Sequence, residues 1–370
     1  RQSERAREER EPGFEAAFDD DTLLFDAFHA GDGRRIRILC PPFLNLLPHI
    51  KSLRITADAD PAPLVFRVRP FYRQSQIEVE AGESVRSLTI DGALGRISFP
   101  VGANHSNLFD DQRVLLTMSK DNPLAWIQDW VRYHRDIHGA TAALVYDNGT
   151  TVYPREALLK ALESVGGMQR VGVVDWPFKF GPQGLRNGQH WESFFCQCGM
   201  LQHARYRYLR GARSVLPGDI DELLLAQTGT LFEHVEKSPF GVASYHGVWI
   251  IGRDAAQDDT ALADRRHRQF TFRLPTKPER RAVVMSVDAN RCLSKYSVVP
   301  RRCPEWALWD GHRIRSWLPV LLTTSKLSFR HFRQINTSWK YDRTGAEFDL
   351  DALIPDEPLR QALERVRWHV

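Results

Sequence analysis

Two carboxylates one residue apart carry the clearest chemistry in the chain: Asp219 and Asp221, within Arg213–Leu225 (RSVLPGDIDELLL). Such a pair can hold a divalent cation between itself and a diphosphate, because Mg²⁺ and Mn²⁺ prefer hard oxygen ligands. A cation there would neutralise the charge that builds on a departing nucleoside diphosphate. The spacing alone is weak, since it recurs at Asp58/Asp60 and Asp349/Asp351. What separates the copy at 219–221 is the apolar run Arg213–Leu216 just before it, which reads as a strand.

Other polar groups could serve the same chemistry. Ser119, Lys120, Asp147, Asn148 and Asp175 all follow apolar runs. Tyr146 could stack near a base, and Asp147 could accept a bond from uracil or ribose; the plainer reading of Asp147-Asn148-Gly149 is a tight turn. Lys295, Arg301 and Arg302 could pair with a diphosphate, or Arg301 and Arg302 could be a solvated loop. Pro304–Ile314 (PEWALWDGHRI) offers Glu305, Asp310 and His312 as candidates for a catalytic base, with His312 alternatively a third metal ligand. Trp306 and Trp309 are either a sugar-stacking platform or core. In Phe329–Arg343, His331, Arg333, Trp339, Lys340 and Arg343 could close over a diphosphate; the rival is an amphipathic surface segment for an acidic polymer or lipid head group.

These residues need elements to position them. Arg113–Met118 reads as a buried strand; Asp121-Asn122-Pro123 supplies a cap and a first-turn proline. Trp126, Ile127, Trp130, Val131 and His134 repeat at helical spacing as far as Gly139, and core packing is the plainer account of Trp126, Trp130 and Tyr133. Ala142–Tyr146, Val171–Asp175 and Arg213–Leu216 read as further strands, Arg155–Ser164 and His190–Leu209 as helices. This alternation predicts a parallel sheet with right-handed crossovers, with ligands beyond the carboxyl ends of its strands. Before it, Arg35–Leu39, Leu64–Val68, Gln76–Val79, Val85–Ile90 and Arg96–Phe99 read as short strands of a small sandwich or barrel, with a hairpin turn at Asp91-Gly92. Helices are expected near Asp310–Leu322 and Glu357–Trp368.

The motifs taken together resemble the GT-A glycosyltransferases of family 92 and their bacterial relatives. The matching residues are Lys120-Asp121-Asn122, Trp126-Ile127, Tyr133-His134, Gly139 and Tyr146-Asp147-Asn148. They continue with Gln197-Cys198, His203-Ala204-Arg205 and Asp219–Leu223, across residues 113–225, with weaker matches at Ser294–Arg302 and Phe329–Arg343. Leu223 stands where the family has Phe, Ala125 where an acid is common, and the segment before residue 110 has no counterpart in the pattern. The resemblance implies an α/β GT-A (Rossmann-like) nucleotide-sugar domain with a mostly parallel sheet. It implies inverting transfer from a nucleotide sugar, a UDP-sugar foremost, to a glycan or lipid-linked glycan in capsule, lipopolysaccharide or similar synthesis. The implied cofactor is Mn²⁺ or Mg²⁺ on Asp219 and Asp221, to which His312, on its own chemistry, is the candidate third ligand. By the same match Asp219 bears on the donor and Lys120 and Asp147 on its nucleoside; Ser119, Tyr146, Asn148, Lys295, Arg301, His331 and Lys340 complete the candidate donor contacts.

Size and charge set the outer bounds. At about 100–200 residues per domain, 370 residues suit a charged tail (1–21), a β-rich domain (22–110), a GT-A domain (111–345) and a helical end (346–370). A net charge of +4 is too small for a nucleic-acid coat, although 41 of the 50 basic residues are Arg, whose fork suits phosphate. The rival classes are a non-enzymatic carbohydrate- or nucleic-acid-binding protein and, more distantly, a nucleotidyltransferase without a glycine-rich phosphate loop. No run of 18 apolar residues and no secretory pattern occurs in the sequence. Five scattered cysteines make no disulfide framework, and Cys196 and Cys198 read as free thiols on a helix. Sequons at Asn148 and Asn336 fall inside the candidate functional segments, where a glycan would obstruct. These features lead us to expect a cytoplasmic protein with at most peripheral membrane contact.

Overall fold

The computed structural model describes residues 1–58, 60–182, 192–252, 261–282, 285–288, 290–318, 323–337 and 349–368. The chain divides into two compact units, Arg1–Leu108 with Trp176–Gly211, and Phe109–Asp175 with Ala212–Val370.

The first unit is built on two antiparallel four-stranded sheets. One runs in the order Asp26–His29, Arg35–Cys40, Gln74–Glu80, Phe66–Phe71; the other Asp60–Pro63, Arg54–Ala57, Ser87–Gly92, Gly95–Pro100. Ile36, Ile38, Ile77 and Val79 of the first sheet share one core with Ile55, Leu88 and Ile90 of the second, which makes a small sandwich. Its last hairpin pairs Gly92 with Gly95, so the tip is Ala93-Leu94, two residues beyond the expected Asp91-Gly92, and Gly95 takes the positive φ of +94°. The helix expected over 190–209 runs Phe195–His203, continues as a π turn over Ala204–Tyr208, and packs in this unit against Arg35–Cys40 and Gln74–Glu80. All nine of its residues are buried, which explains why it lacks an amphipathic pattern. At Gly199 a Cβ would lie 2.5 Å from the Phe25 ring, so the helix seats that ring only with glycine there. All five cysteines are buried.

The second unit holds the α/β sheet. Strands β1 (Arg113–Ser119), β2 (Ala142–Asp147), β3 (Arg170–Asp175) and β4 (Ser214–Pro217) are parallel, in the order β3-β2-β1-β4. β2 is buried at every position, as a parallel strand covered on both faces must be. The order reverses between β1 and β4, and a crevice opens at such a switch point beyond the carboxyl ends of the strands. Beyond β4 the sheet changes character. β7 (Lys295–Val298) pairs antiparallel with β4 and with β6 (Val242–Ile251), and β8 (Thr323–Phe332) joins β6 in parallel and β5 (Glu222–Ala226) antiparallel.

Helix α1 (Leu124–His138) carries the expected periodicity and stops at Gly139, whose φ of +71° is the usual helix-ending conformation. Its start differs from expectation. Pro123 is the N-cap, while Asp121, itself at φ +54°, turns its carboxylate to the Thr151 amide at 2.7 Å. The buried face of α1 also grips β5. Trp130 Nε1 donates to the Glu222 carbonyl at 3.0 Å, and Tyr133 Oη donates to Leu224 O at 2.8 Å. His138 accepts from Leu231 N through Nδ1 at 3.1 Å, so Nε2 carries the proton it donates to Leu224 O at 2.7 Å. Trp130→Phe should cost about 1–3 kcal/mol by leaving a buried carbonyl unpaired. Urea melts would check it; a loss below a few tenths would mean the bond does not hold β5.

No α-helix forms over the described part of Asp310–Leu322. Leu308–Trp309 pairs with Ile314–Arg315 instead, because Asp310-Gly311 makes a turn in which Asp310 Oδ1 accepts from the Gly311 amide at 2.7 Å. The closing helix α2 (Glu357–Glu364) is capped by Asp356, whose buried carboxylate also takes the Arg330 guanidinium at 2.6 Å. No helix among the described residues is long and apolar enough to cross a membrane.

Candidate active site

The carboxyl ends of the parallel strands bring the predicted groups to one edge. Ser119, Asp147 and Asp175 stand in register across β1, β2 and β3, and Gly218-Asp219 follows β4. Two of the predicted groups, Ser119-Lys120 and Asp219, therefore flank the switch point between β1 and β4. Loops from β1 and β2 are tied together there. Asn148 N donates to Ser119 O at 2.8 Å, and Asn122 Nδ2 to Ser119 Oγ at 3.0 Å. Asp147 closes the expected tight turn, with Oδ1 accepting from Thr150 N at 2.9 Å. Lys120 is half-buried and pairs with no carboxylate among the described residues. Tyr146 is completely buried in the sheet, which leaves no ring face open to a base.

The acidic motif lies in a dense ionic cluster. Lys295, at the start of β7, places Nζ 2.6 Å from Asp219 Oδ2 and 3.2 Å from Glu222 Oε2. Both Lys295 and Glu222 are only 6% exposed. Burial pushes the Glu222 carboxyl up and the Lys295 ammonium opposes that; the ammonium itself is held above its ordinary value because Asp219 and Glu222 outweigh its own burial. Glu222 also accepts the Asp219 amide at 3.3 Å, so one carboxylate braces both the chain and the charge. The sequence puts Glu222 with the two aspartates at the end of this strand but gives it no role of its own.

Asp221, the second aspartate of the motif, also lies within range of the Lys295 charge. Its Oδ2 lies 3.0 Å from His331 Nε2, and the His331 ring stacks on Trp249 with centroids 4.2 Å apart. The antiparallel register of β5 and β8 sets Glu222 opposite His331 and produces this contact. His267, buried, holds the motif's backbone through Nε2 and Ile220 O at 2.8 Å. Asp221 and His331 therefore adjoin one another, while Asp219 is turned to Lys295. Among the described residues no three His, Cys, Asp or Glu side chains form a ready metal cage, so phosphate and water would have to complete any coordination shell.

The remaining candidates sort by their surroundings. Asp310 is engaged by Arg315 Nε at 2.6 Å and by the Gly311 amide. Glu305 is exposed. His312 donates Nδ1–H to Ser294 O at 3.2 Å, since a carbonyl can only accept, and in the neutral ring Nε2 then carries the lone pair. Its rim is open to solvent, yet the protein around it and then the Lys295 ammonium hold its pKa below the ordinary imidazole value. Trp306 is 58% exposed, whereas Trp309 is 1% exposed and belongs to the core. Arg301 is exposed and makes a solvent-screened pair with Asp110 at 3.5 Å, and Arg302 caps Glu236 O and Ser238 O. Lys340, Trp339 and Arg343 lie outside the described residues.

No family model and no curated protein matches the chain. Solved structures that align with it include the galactosyltransferase LgtC in complex with donor and acceptor sugar analogs, at 15% identity, 51% of this chain, 58% of that one and a TM-score of 0.27. An active-site mutant of LgtC aligns at 16% identity over 52% and 60%, also with a TM-score of 0.27. A flavohemoglobin from Malassezia yamatoensis aligns at 11% identity over 55% of each chain with a TM-score of 0.15. At TM-scores this low the alignments carry no weight for fold or chemistry, which rest on the chain's own residues.

Proposed function

We propose that the chain is a metal-dependent, inverting glycosyltransferase that moves a sugar from a nucleotide-sugar donor, a UDP-sugar foremost, to a glycan acceptor in surface-polysaccharide synthesis. The observation that carries this reading is the place of Asp219 and Asp221 at the switch point of a parallel sheet, beside Lys120 and the turn at Asp147. A nucleotide placed there meets polar groups at the ends of β1 and β2 on one side and the acidic motif on the other.

Asp219 and Asp221, with His331 beside them, would hold Mn²⁺ or Mg²⁺, which when bound offsets the charge of the departing nucleoside diphosphate. Lys295, bound to two carboxylates, positions Asp219 rather than reaching for phosphate. Of the three candidate bases, His312 is the best prepared: its Nδ1–H is anchored, its Nε2 bears the lone pair, and its lowered pKa keeps the ring neutral at pH 7. In this reading Nε2 takes the proton of the acceptor hydroxyl as that oxygen attacks in line. Trp306 offers an exposed face for a sugar ring.

A donor screen tests the reading. UDP-, GDP- and CMP-sugars would be added to the purified protein with Mn²⁺ or with EDTA, and melting temperature and slow donor hydrolysis followed. A ligand that binds only the native state raises its stability by mass action. One nucleotide sugar should raise the melting temperature in the presence of metal only. No shift with any donor would discard the proposal in favour of a carbohydrate- or nucleic-acid-binding protein, and glycan and oligonucleotide panels would follow.

A further inference from the structure

A second concavity lies on the same unit, at the far end of the β5–β8 ladder. The ladder runs from Glu222 opposite His331 to Ala226 opposite Leu327. Four residues at about 3.3 Å each place this end about 13 Å from the acidic motif. The groove has a volume of about 490 Å³, inside the range of roughly 300–1,000 Å³ typical of small-ligand sites.

Its walls have one sign of charge. Lys326 and Arg330 both come from β8, Arg365 from the residue after α2, and no Asp or Glu lines the space. Arg330 is neutralised by Asp356. Lys326 and Arg365 are exposed and pair with no carboxylate among the described residues. Arg365 at a helix C-terminus and Lys326 on a strand would each be unremarkable alone. Their convergence on one concave surface is different, because like charges there repel unless an anion enters, and a low-dielectric wall focuses their field.

The rest of the lining states the kind of anion. Ser325, Ser328, Gln227 and Gln361 offer hydroxyl and amide groups. Among the lining residues there is no Phe, Tyr or Trp, so the large aromatic platforms that single-strand binders offer to nucleobases are missing. Leu225, Pro358 and Ala362 supply small apolar faces of the kind a sugar ring covers.

We infer that this groove is a binding site for an acidic glycan, with the carboxylate or phosphate of one residue held between Lys326 and Arg365 and neighbouring hydroxyls on the Ser and Gln groups. The site is separate from the switch point and does not depend on the transferase reading.

Calorimetric titration of the full chain with a uronic-acid tetrasaccharide, the matching neutral tetrasaccharide and inorganic phosphate tests it. The acidic oligosaccharide should bind saturably, more weakly at high salt, and the neutral one should not. The double variant Lys326→Glu/Arg365→Glu should lose about 10-fold or more of that affinity, while the milder Lys326→Gln/Arg365→Gln serves the same purpose if the reversal fails to fold. Thermal melts confirm folding, and nucleotide-sugar binding measured on the same variants should be unchanged. Binding of phosphate alone, equal binding of the neutral glycan, or an affinity indifferent to both variants would overturn the inference. Loss of nucleotide-sugar binding in the unaltered chain, with acidic-glycan binding intact, would count against the transferase and leave this site standing.

Discussion

Lys295→Met should destabilise the protein by about 3–5 kcal/mol at pH 7, because removing one partner of a buried ionic cluster leaves uncompensated charge behind. Lys295 is the cation the structure places between Asp219 and Glu222, and Glu222 is as buried as the lysine. The pH dependence gives the loss a signature. Glu222 is already raised by burial, with Lys295 acting against that rise. Without the ammonium its folded pKa climbs further above the unfolded value. A raised carboxyl contributes stability that is full below the unfolded pKa and fades as pH rises through the folded one. The variant should therefore be least impaired near pH 5 and most impaired near pH 8, and Lys295→Met/Glu222→Gln should recover much of the loss. Urea melts at the two pH values decide it. A cost under 1 kcal/mol, or a pH slope no different from that of the unaltered chain, would mean that the cluster is not the brace described here.

What could be read from the sequence follows from how far apart the interacting residues lie. The four parallel strands and α1 announce themselves because each is a local pattern: an apolar run or a 3.6-residue repeat ended by Gly139. The position of Asp219 and Asp221 at a strand end follows from those patterns. The choice between His312 and His331 does not. Asp221 meets His331 because β5 and β8 pair antiparallel across more than 100 residues, and no local spacing reports such a register. Helix Phe195–His203 shows the same limit: its composition marks a buried helix, but nothing in it names the sheet it covers. Asp310–Leu322 failed for a local reason, since Asp310-Gly311 is a stronger turn signal than the apolar residues around it are a helical one. The surroundings of the base candidates are hidden in the same way: Arg315 on Asp310 and Ser294 on His312.

That difference between the two histidines sets the second expected result. Asp221→Asn should lower sugar transfer by about 1,000-fold or more, the several kcal/mol that a charge-neutralising metal supplies at the departing diphosphate. The fold should survive, since Asp221 sits at a strand end with its side chain 13% exposed, and Asn keeps its size while removing only its charge. His331→Ala and His312→Gln then separate the roles. If His331 stands with Asp221 at the metal, His331→Ala should weaken the Mn²⁺ dependence of transfer, raising the concentration needed for half-maximal rate. If His312 is the base, His312→Gln should leave that concentration unchanged, lower the rate by about 100-fold, and remove the acidic limb of the pH–rate profile, because the limb reports protonation of Nε2. The opposite pattern, with His312→Gln shifting the metal requirement and His331→Ala leaving it intact, would return the metal to the assignment the sequence favoured. Transfer by Asp221→Asn that persists in EDTA would remove the metal from the mechanism and leave Lys295 as the cation fixed at that edge of the sheet.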